Sequence, residues 1–322
     1  MSPDGKIVHM HDFSVERQTP VKWAVDTPFR FRCANRMKAW LAQLVSIVFV
    51  ASVATTDGKA AGEENNALLR SAEADLKSGK PAEAITLIGR VLTADPKNFR
   101  ALFLRAHAHE ESRDYAKAVA DYDAGLKLNT NAAIAYQRRG EAHFRLGHFK
   151  ESIADFDRFL ELMPAQAPQH WQRGIALYYA GRYEDGRKQF ELHQTVNSHD
   201  VENAVWHFLC VARASGVEKA RAALIPIEGD PRVPMAQVHA LFANKAKPED
   251  VLTAAKAGDP SPNRLDSHLF FAHLYLGLYF EVTGDDPRTR EHIFKAAGFK
   301  ADHYMGDVAR VHAQVLRKKP GG

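Results

Sequence analysis

The sequence predicts an all-α fold in which helical hairpins repeat along most of the chain. Three observations support this prediction. Similar segments recur at intervals of about 34 residues, apolar residues within each segment follow helical spacing, and glycine or proline marks the turns. A lone hairpin buries only part of its apolar surface, so consecutive copies are expected to stack into a solenoid. A chain of 322 residues is long enough for one elongated stack of this kind or for about two compact domains.

The clearest copy comprises residues 133–166. Gly140 lies within the first helical pattern, Gly147 separates the two patterns, and Pro164 closes the unit. The second pattern places its apolar residues three or four positions apart, and therefore on one helix face: Phe149, Ile153, Phe156, Phe159 and Leu160. This unit is predicted to be a pair of helices joined by a tight turn.

Equal steps along the chain from this unit locate three further copies: residues 65–98, 99–132 and 167–200. Ala106 takes the place of Gly140, and Tyr122 takes the place of Phe156. The period and the pattern of small and aromatic residues resemble the tetratricopeptide repeat (TPR). The resemblance implies four such repeats over residues 65–200, built of antiparallel helix pairs that stack into a right-handed superhelix with a concave binding face.

The repeat period continues after residue 200, but it is less regular there. Residues 201–264 are predicted to form degenerate hairpins, in which Pro248 begins a helix. The period returns in a late repeat at residues 265–302, where Gly277 falls at a small-residue position. Residues 303–322 are predicted to form a capping helix and a basic tail, because a solenoid needs a terminal helix to cover its last apolar surface.

The segment before the repeats, residues 1–64, has a different character. Residues 37–54 have a basic start, a short apolar run and small residues at their end, which is typical of a secretory signal peptide. A retained signal anchor and a buried helix are the alternatives, although the run is short for a membrane span. Residues 1–36 are interpreted as an over-extended gene start or a leader, with Met1 and Met37 as alternative first residues. Residues 55–64 are predicted to be a linker.

The order of these segments is similar to that of bacterial TPR lipoproteins of the NlpI type. That resemblance implies an adaptor of the cell envelope, which brings cell-wall hydrolases to a processing protease and often forms homodimers. Cys33 precedes the apolar run, whereas the cysteine that carries a lipid follows it, so no lipid anchor is expected. The mature chain is therefore expected to be exported, periplasmic or secreted, without a stable membrane span.

The resemblance to TPR proteins also predicts which residues bind a partner. In that family, four positions of each first helix help to line the concave face. On this chain those positions predict a partner-binding groove that includes Phe103, His107, Glu111, Gln137, Glu141, Phe144, Arg145, Trp171, Tyr178 and Tyr179. Aromatic side chains beside mixed charges suit the capture of a peptide or a helix. The alternative is that Phe103, Trp171 and Tyr178 only fill the space between repeats.

Some TPR co-chaperones hold a C-terminal carboxylate with lysine, asparagine and arginine side chains. At the matching positions this chain has Leu69, Glu73, Leu104, Ile134 and Arg138, and only the arginine fits. A clamp for an acidic C-terminus is therefore not expected. A net charge of +4 is small for the length and does not indicate nucleic-acid binding.

Catalytic and metal-binding patterns are weak. His207 and Cys210 are three residues apart and could form a thiol–imidazole pair, but the surrounding apolar run predicts a buried and unreactive thiol. His107 and His109 do not share the helix face that one metal ion would need. We therefore expect no enzyme activity, cofactor or metal.

The expected function is a non-enzymatic scaffold or adaptor that binds a peptide or protein partner in the concave groove. The partner is expected among envelope proteins, with a hydrolase or a protease as the leading kinds. Two alternative functions are also considered. One is a structural protein whose repeats assemble into homodimers, and the other is a thiol hydrolase that uses Cys210 and His207.

Overall fold

The computed structural model of the chain describes residues 56–318, with side chains from Gly62 onward. Within that range the chain forms α-helices joined by turns and short irregular segments, with no β-strand. The predicted all-α solenoid is confirmed. The predicted leader at residues 1–36, the signal peptide at residues 37–54 and the last four residues of the basic tail lie outside the described residues.

The first eight helices pair as four consecutive hairpins. They are α1 (Thr56–Lys77) with α2 (Pro81–Ala94), α3 (Phe99–Glu111) with α4 (Tyr115–Leu128), α5 (Ala133–Leu146) with α6 (Phe149–Leu162), and α7 (Trp171–Tyr179) with α8 (Tyr183–Gln194). Each hairpin packs against the next one. A short 3₁₀ helix, Pro164–Gln169, separates the third hairpin from the fourth.

Helix α1 is longer than the sequence analysis predicted. It begins at Thr56, so residues 56–64, which were predicted to be a linker, are part of the helix. Gly62 lowers the helix propensity of this segment, but the adjoining Ala60, Ala61 and Glu63 favour a helix. The linker prediction was therefore wrong for these residues.

Glycines set the distance between the two helices of a hairpin. A Cβ atom on Gly140 would lie 2.7 Å from the ring of Phe156, and one on Gly174 would lie 2.7 Å from the ring of Phe190. The same pairing recurs late in the chain, where a Cβ on Gly277 would lie 2.6 Å from the side chain of Ile293. The partner residue comes 16 positions after the glycine each time, so these hairpins close in the same way.

The degenerate region and the late repeat are helical too. Their helices are α9 (Val201–Ser215), α10 (Val217–Ala222), α11 (Met235–Phe242), α12 (Pro248–Lys256), α13 (Pro262–Thr283) and α14 (Asp286–Gly298). Helix α9 packs on α8 and continues the stack, and α13 pairs with α14 as a long hairpin. Pro248 is the first residue of α12, as predicted.

The final helix, α15 (Tyr304–Lys318), has neighbours on two sides. One side packs on α14, as expected of a capping helix. The other side contacts α5, so the end of the chain returns to its third hairpin. The capping prediction did not include this second contact, which joins helices far apart in the sequence.

The apolar core is divided unevenly along the stack. One continuous cluster extends from Phe144 to Leu316 and includes residues of α15. Two smaller clusters lie in the first hairpins, one from Leu69 to Ala108 and the other from Ala106 to Ala135. The C-terminal two thirds of the described chain therefore share one core, and the N-terminal hairpins have their own.

Candidate partner-binding site

The first helices of the four hairpins, α1, α3, α5 and α7, lie side by side. We call the side that they form the inner face. Glu73 of α1 accepts a hydrogen bond from Arg100 of α3 at 2.7 Å. Arg138 of α5 lies 3.4 Å from Glu110 of α3, across the next junction. Polar side chains thus connect one first helix to the next.

The N-terminal part of the inner face is open to solvent. Glu111 is the most exposed of the predicted groove residues there, with 58% of its side chain accessible, and its carboxylate lies 3.4 Å from His107. The contact with His107 holds the pKa of Glu111 below its usual range, against the opposing effect of burial. Phe103 is half-buried and meets the ring of Tyr122 edge-on at 5.6 Å. Phe103 therefore packs against the second helix of its own hairpin, while Glu111 remains accessible.

The middle of the inner face carries a buried polar network. Gln137 donates a hydrogen bond to Glu141 at 2.9 Å, and its own side-chain oxygen lies 2.6 Å from His170 Nε2. The Glu141 carboxylate lies 3.9 Å from Arg138 and 3.5 Å from Arg145. Both predicted groove residues, Gln137 and Glu141, are thus held by neighbours within the chain.

Helix α15 covers the C-terminal part of the inner face. The ring of Tyr304 stacks on Phe144 with 5.4 Å between ring centroids, and it meets Trp171 edge-on at 5.0 Å. Arg145 donates a hydrogen bond from Nε to Asp307 at 2.7 Å. Three predicted groove residues therefore contact the chain's own last helix.

The two tyrosines at the end of α7 are also engaged. The hydroxyl of Tyr179 lies 2.9 Å from Nδ1 of His312 in α15. The hydroxyl of Tyr178 donates to Glu281 of α13 at 3.2 Å. Burial raises the pKa of both tyrosines well above the usual range, so both hydroxyls stay protonated. These side chains bind internal groups in the structure.

Opposite charges alternate along the inner face as far as α15. The order is Glu110, Arg138, Glu141, Arg145 and Asp307, with 2.7 to 3.9 Å between successive partners. Burial opposes ionisation of Asp307, yet Arg145 and a second arginine in α15 hold its pKa below the usual range. Burial raises the pKa of Glu110, because Arg138 offsets only part of its desolvation. The strongest charge pairing therefore lies where α15 meets α5.

A ladder of arginines between hairpins was missed by the sequence analysis. Arg139 donates bidentate hydrogen bonds to Asp155 of its own hairpin, at 2.6 and 2.8 Å. It donates a third hydrogen bond to Asp123 of the preceding hairpin at 2.5 Å. Arg173, one repeat later, donates to Asp157 and to Gln189 in the same way. The signal was present in the sequence as arginine and aspartate recurring at the repeat period.

His207 occupies the next position of the ladder, one repeat after Arg173. Its Nε2 lies 3.4 Å from Glu191, which corresponds to the contact between Arg173 and Asp157. Cys210 is fully buried on the same helix, and burial raises the pKa of its thiol. A thiolate is disfavoured in these surroundings, which is the opposite of what a thiol hydrolase requires.

Metal-ligand clusters and membrane-length helices are both absent from residues 56–318. In that range, no group of three His, Cys, Asp or Glu side chains is placed to hold a metal ion. None of the described helices is long and apolar enough to cross a lipid bilayer.

Comparison with known proteins identifies the repeats. Residues 69–133 and 103–170 match a family model described as tetratricopeptide repeat. The first TPR of Spaghetti (RPAP3), solved bound to an HSP90 peptide, is 33% identical, with a TM-score of 0.31; the match covers 32% of this chain and 81% of that one. No curated protein matches the chain.

Other solved structures are similar to this chain at low identity. A tetratricopeptide repeat protein from Parabacteroides merdae is 13% identical with a TM-score of 0.53, covering 80% of this chain and 100% of that one. MamA from Desulfovibrio magneticus is 16% identical with a TM-score of 0.47, covering 61% and 98%. The repeat period, the helical hairpins and the family match agree, and residues 69–170 are therefore tetratricopeptide repeats within a helical solenoid.

Proposed function

We propose that the protein is a non-enzymatic scaffold that holds a peptide or protein partner on its inner face. The observation that carries this proposal is the open part of that face on α1 and α3. Glu73 and Arg100 form one partly exposed pair there, and His107 and Glu111 form another. A row of partly exposed polar groups on stacked helices is suited to binding a partner segment.

The charges indicate the chemistry of the partner segment. Glu111 is the most exposed charged group of the four, so a basic side chain on the partner would pair with it. An acidic C-terminal tail fits poorly, because Leu69 and Leu104 are buried and Glu73 would repel it. The preferred segment is therefore basic or mixed in charge.

We further propose that the protein acts in the cell envelope. The basic start, apolar run and small residues of residues 37–54 support export of the mature chain. The layout shared with NlpI-type lipoproteins supports an adaptor role, with a cell-wall hydrolase or a protease as the partner and a homodimer as one form of the adaptor. Export would restrict the partner to proteins of that compartment.

The test is capture of partners from fractionated cells by the tagged full-length chain. Charge reversal by Glu111→Lys should reduce the captured partner about tenfold or more, because reversing a contact at a binding face replaces attraction by repulsion. Glu161→Lys is the matched control, since Glu161 is similarly exposed, at 64%, but lies on the second helix of its hairpin.

Equal capture by the Glu111→Lys and Glu161→Lys proteins would contradict the proposed binding face. The N-terminal peptide of the endogenous protein, sequenced by mass spectrometry in the same fractions, tests the compartment. A mature start near Thr55 in the envelope or secreted fraction is expected, and an intact N-terminus in the cytosol would contradict export.

A further inference from the structure

Helix α15 contacts the inner face through one side only. Tyr304, Asp307 and His312 meet α5 and α7, and the second and third of them lie three and eight residues after the first. This spacing places them on one side of a helix. Helix α15 therefore lies on the inner face as an amphipathic helix lies in the groove of a receptor.

The charge on the inner face favours a carboxylate at this position. The shortest ionic contact of Arg145 is the one with Asp307, at 2.7 Å, whereas Glu141 is 3.5 Å away. The side chain of Arg145 is only 15% exposed. A buried arginine that loses its closest carboxylate is strongly destabilised, so any occupant of this position has to supply one.

The fit of α15 to the inner face is incomplete. The hydroxyl of Tyr304 is buried and has no hydrogen-bond partner among the described residues. An unpaired buried hydroxyl reduces the stability of the contact. A helix that removed this defect would bind more tightly than α15 does.

We propose that the inner face of α5 and α7 is a receptor for an amphipathic helix with an aromatic residue followed three positions later by a carboxylate. Helix α15 is the resident occupant, and a partner helix with the same two groups displaces it. This inference rests on the proposed scaffold function, because it assigns a ligand class to the same inner face. It explains why the predicted groove residues from Phe144 to Tyr179 are covered in the structure.

The test uses a fluorescent peptide of residues 300–318 and the full-length protein, with binding followed by fluorescence anisotropy. Asp307→Asn in the protein weakens the resident helix, so the peptide should bind about tenfold more tightly. Asp307→Asn in the peptide weakens the competitor, so binding to the unchanged protein should fall about tenfold. One substitution thus has opposite effects in the two settings.

A second, conservative substitution shifts the balance the other way. Tyr304→Phe removes the unpaired hydroxyl and keeps the ring, so in the protein it should strengthen the resident helix and weaken peptide binding. In the peptide it should strengthen binding. Lys300→Gln is the control in both settings, because it changes the charge by one unit at an exposed residue before α15.

If a substitution changed the affinity for the peptide in the same direction in the protein and in the peptide, the two helices would not be competing for the inner face. Absence of peptide binding even to the Asp307→Asn protein would also overturn the proposal. Circular dichroism and urea unfolding verify that each variant is folded. If Asp307→Asn prevents folding, Tyr304→Phe in the protein and in the peptide still tests the proposal. Failure of this test leaves the capture experiment at Glu111 unaffected, so the two proposals fail separately.

Discussion

His170 is the N-cap residue of α7, the first helix of the fourth hairpin. Nδ1 of His170 accepts a hydrogen bond from the backbone N–H of Arg173 at 3.2 Å and so caps α7, while Nε2 lies 2.6 Å from the side-chain oxygen of Gln137. Both contacts are satisfied by a neutral ring that carries its proton on Nε2. Burial lowers the pKa of His170 to about 4. The cap therefore depends on the ring staying neutral.

The cap at His170 is expected to make the protein sensitive to acid. The pKa of His170 is lower in the folded chain than in the unfolded one, so unfolding takes up a proton as the pH falls below about 6.5. The free energy of unfolding should then decrease between about pH 6.5 and pH 4, by up to about 3 kcal/mol from this residue. His170→Asn keeps a capping side chain without a titrating ring, and should reduce that decrease. Urea unfolding of both proteins at pH 7 and pH 4.5 measures the difference.

Several other histidines also lose basicity on folding, including His273, whose pKa burial lowers to about 4. Their contribution is common to the unchanged protein and the His170→Asn variant. The comparison between the two therefore isolates His170. Identical changes in the urea midpoint with pH would show that the cap at α7 is not linked to protonation.

Within a hairpin, the distance between the two helices depends on the glycine of the first helix. Gly140→Ala would place a Cβ 2.7 Å from the buried ring of Phe156. Overpacking of this kind should lower the free energy of unfolding by about 1–3 kcal/mol, although alanine favours a helix. Gly89→Ala in α2 is the matched control, because a Cβ there meets no atom within 4 Å. The control should raise the free energy of unfolding by up to about 1 kcal/mol.

Urea unfolding of the two alanine variants gives both values. A stabilised Gly140→Ala protein would show that the hairpins separate easily. That result would contradict the close packing on which the repeat pattern depends.

The helical hairpins were predictable because their physical cause is local. A small residue opposite a large apolar side chain, as Gly140 lies opposite Phe156 and Gly277 opposite Ile293, recurs at a fixed spacing in the sequence. The arginine ladder is equally periodic, but each contact joins residues on different helices, so the sequence shows the recurrence and not the pairing. The helical state of residues 56–64 was missed, although Ala60, Ala61 and Glu63 favour a helix.

The position of α15 could not be read from the sequence. Arg145 and Asp307 are 162 residues apart, and their contact depends on the accumulated curvature of all the hairpins between them. The repeat period indicates how each hairpin packs on the next, but it does not give the total curvature of the stack. The prediction of a groove at Phe144, Arg145 and Tyr179 therefore found residues on the inner face, but not the helix that covers them.

Across the whole molecule, the division of the core predicts uneven stability. Helices α1 to α4 depend on two small apolar clusters, whereas the cluster that begins at Phe144 joins the later hairpins to α15. Ion pairs link the two regions. Arg113 with Asp302 is about half exposed and contributes little, whereas Arg138 with Glu110 is buried and joins α3 to α5. The N-terminal hairpins should open at a lower free energy than the rest.

Native-state hydrogen exchange followed by mass spectrometry tests this prediction. Backbone amides of α2 and α3 should exchange before those of α9 and α13. Ala142 in α5 and Leu274 in α13 lie in buried helix segments on the stable side and provide reference peptides. Equal protection of α3 and α13 would contradict the uneven core, and would indicate that the described chain opens as one unit.

The return of α15 to the third hairpin also determines when folding can finish. Ribosomes make the chain from its N-terminus, so the first two hairpins can form while the rest is still being synthesised. Arg145 receives its closest carboxylate only when Asp307 emerges, 162 residues later. A nonsense mutation at codon 304 would leave every hairpin in place but remove α15. It would deprive the third hairpin of the helix that packs on it, so it should be harmful even though all the hairpins are still made.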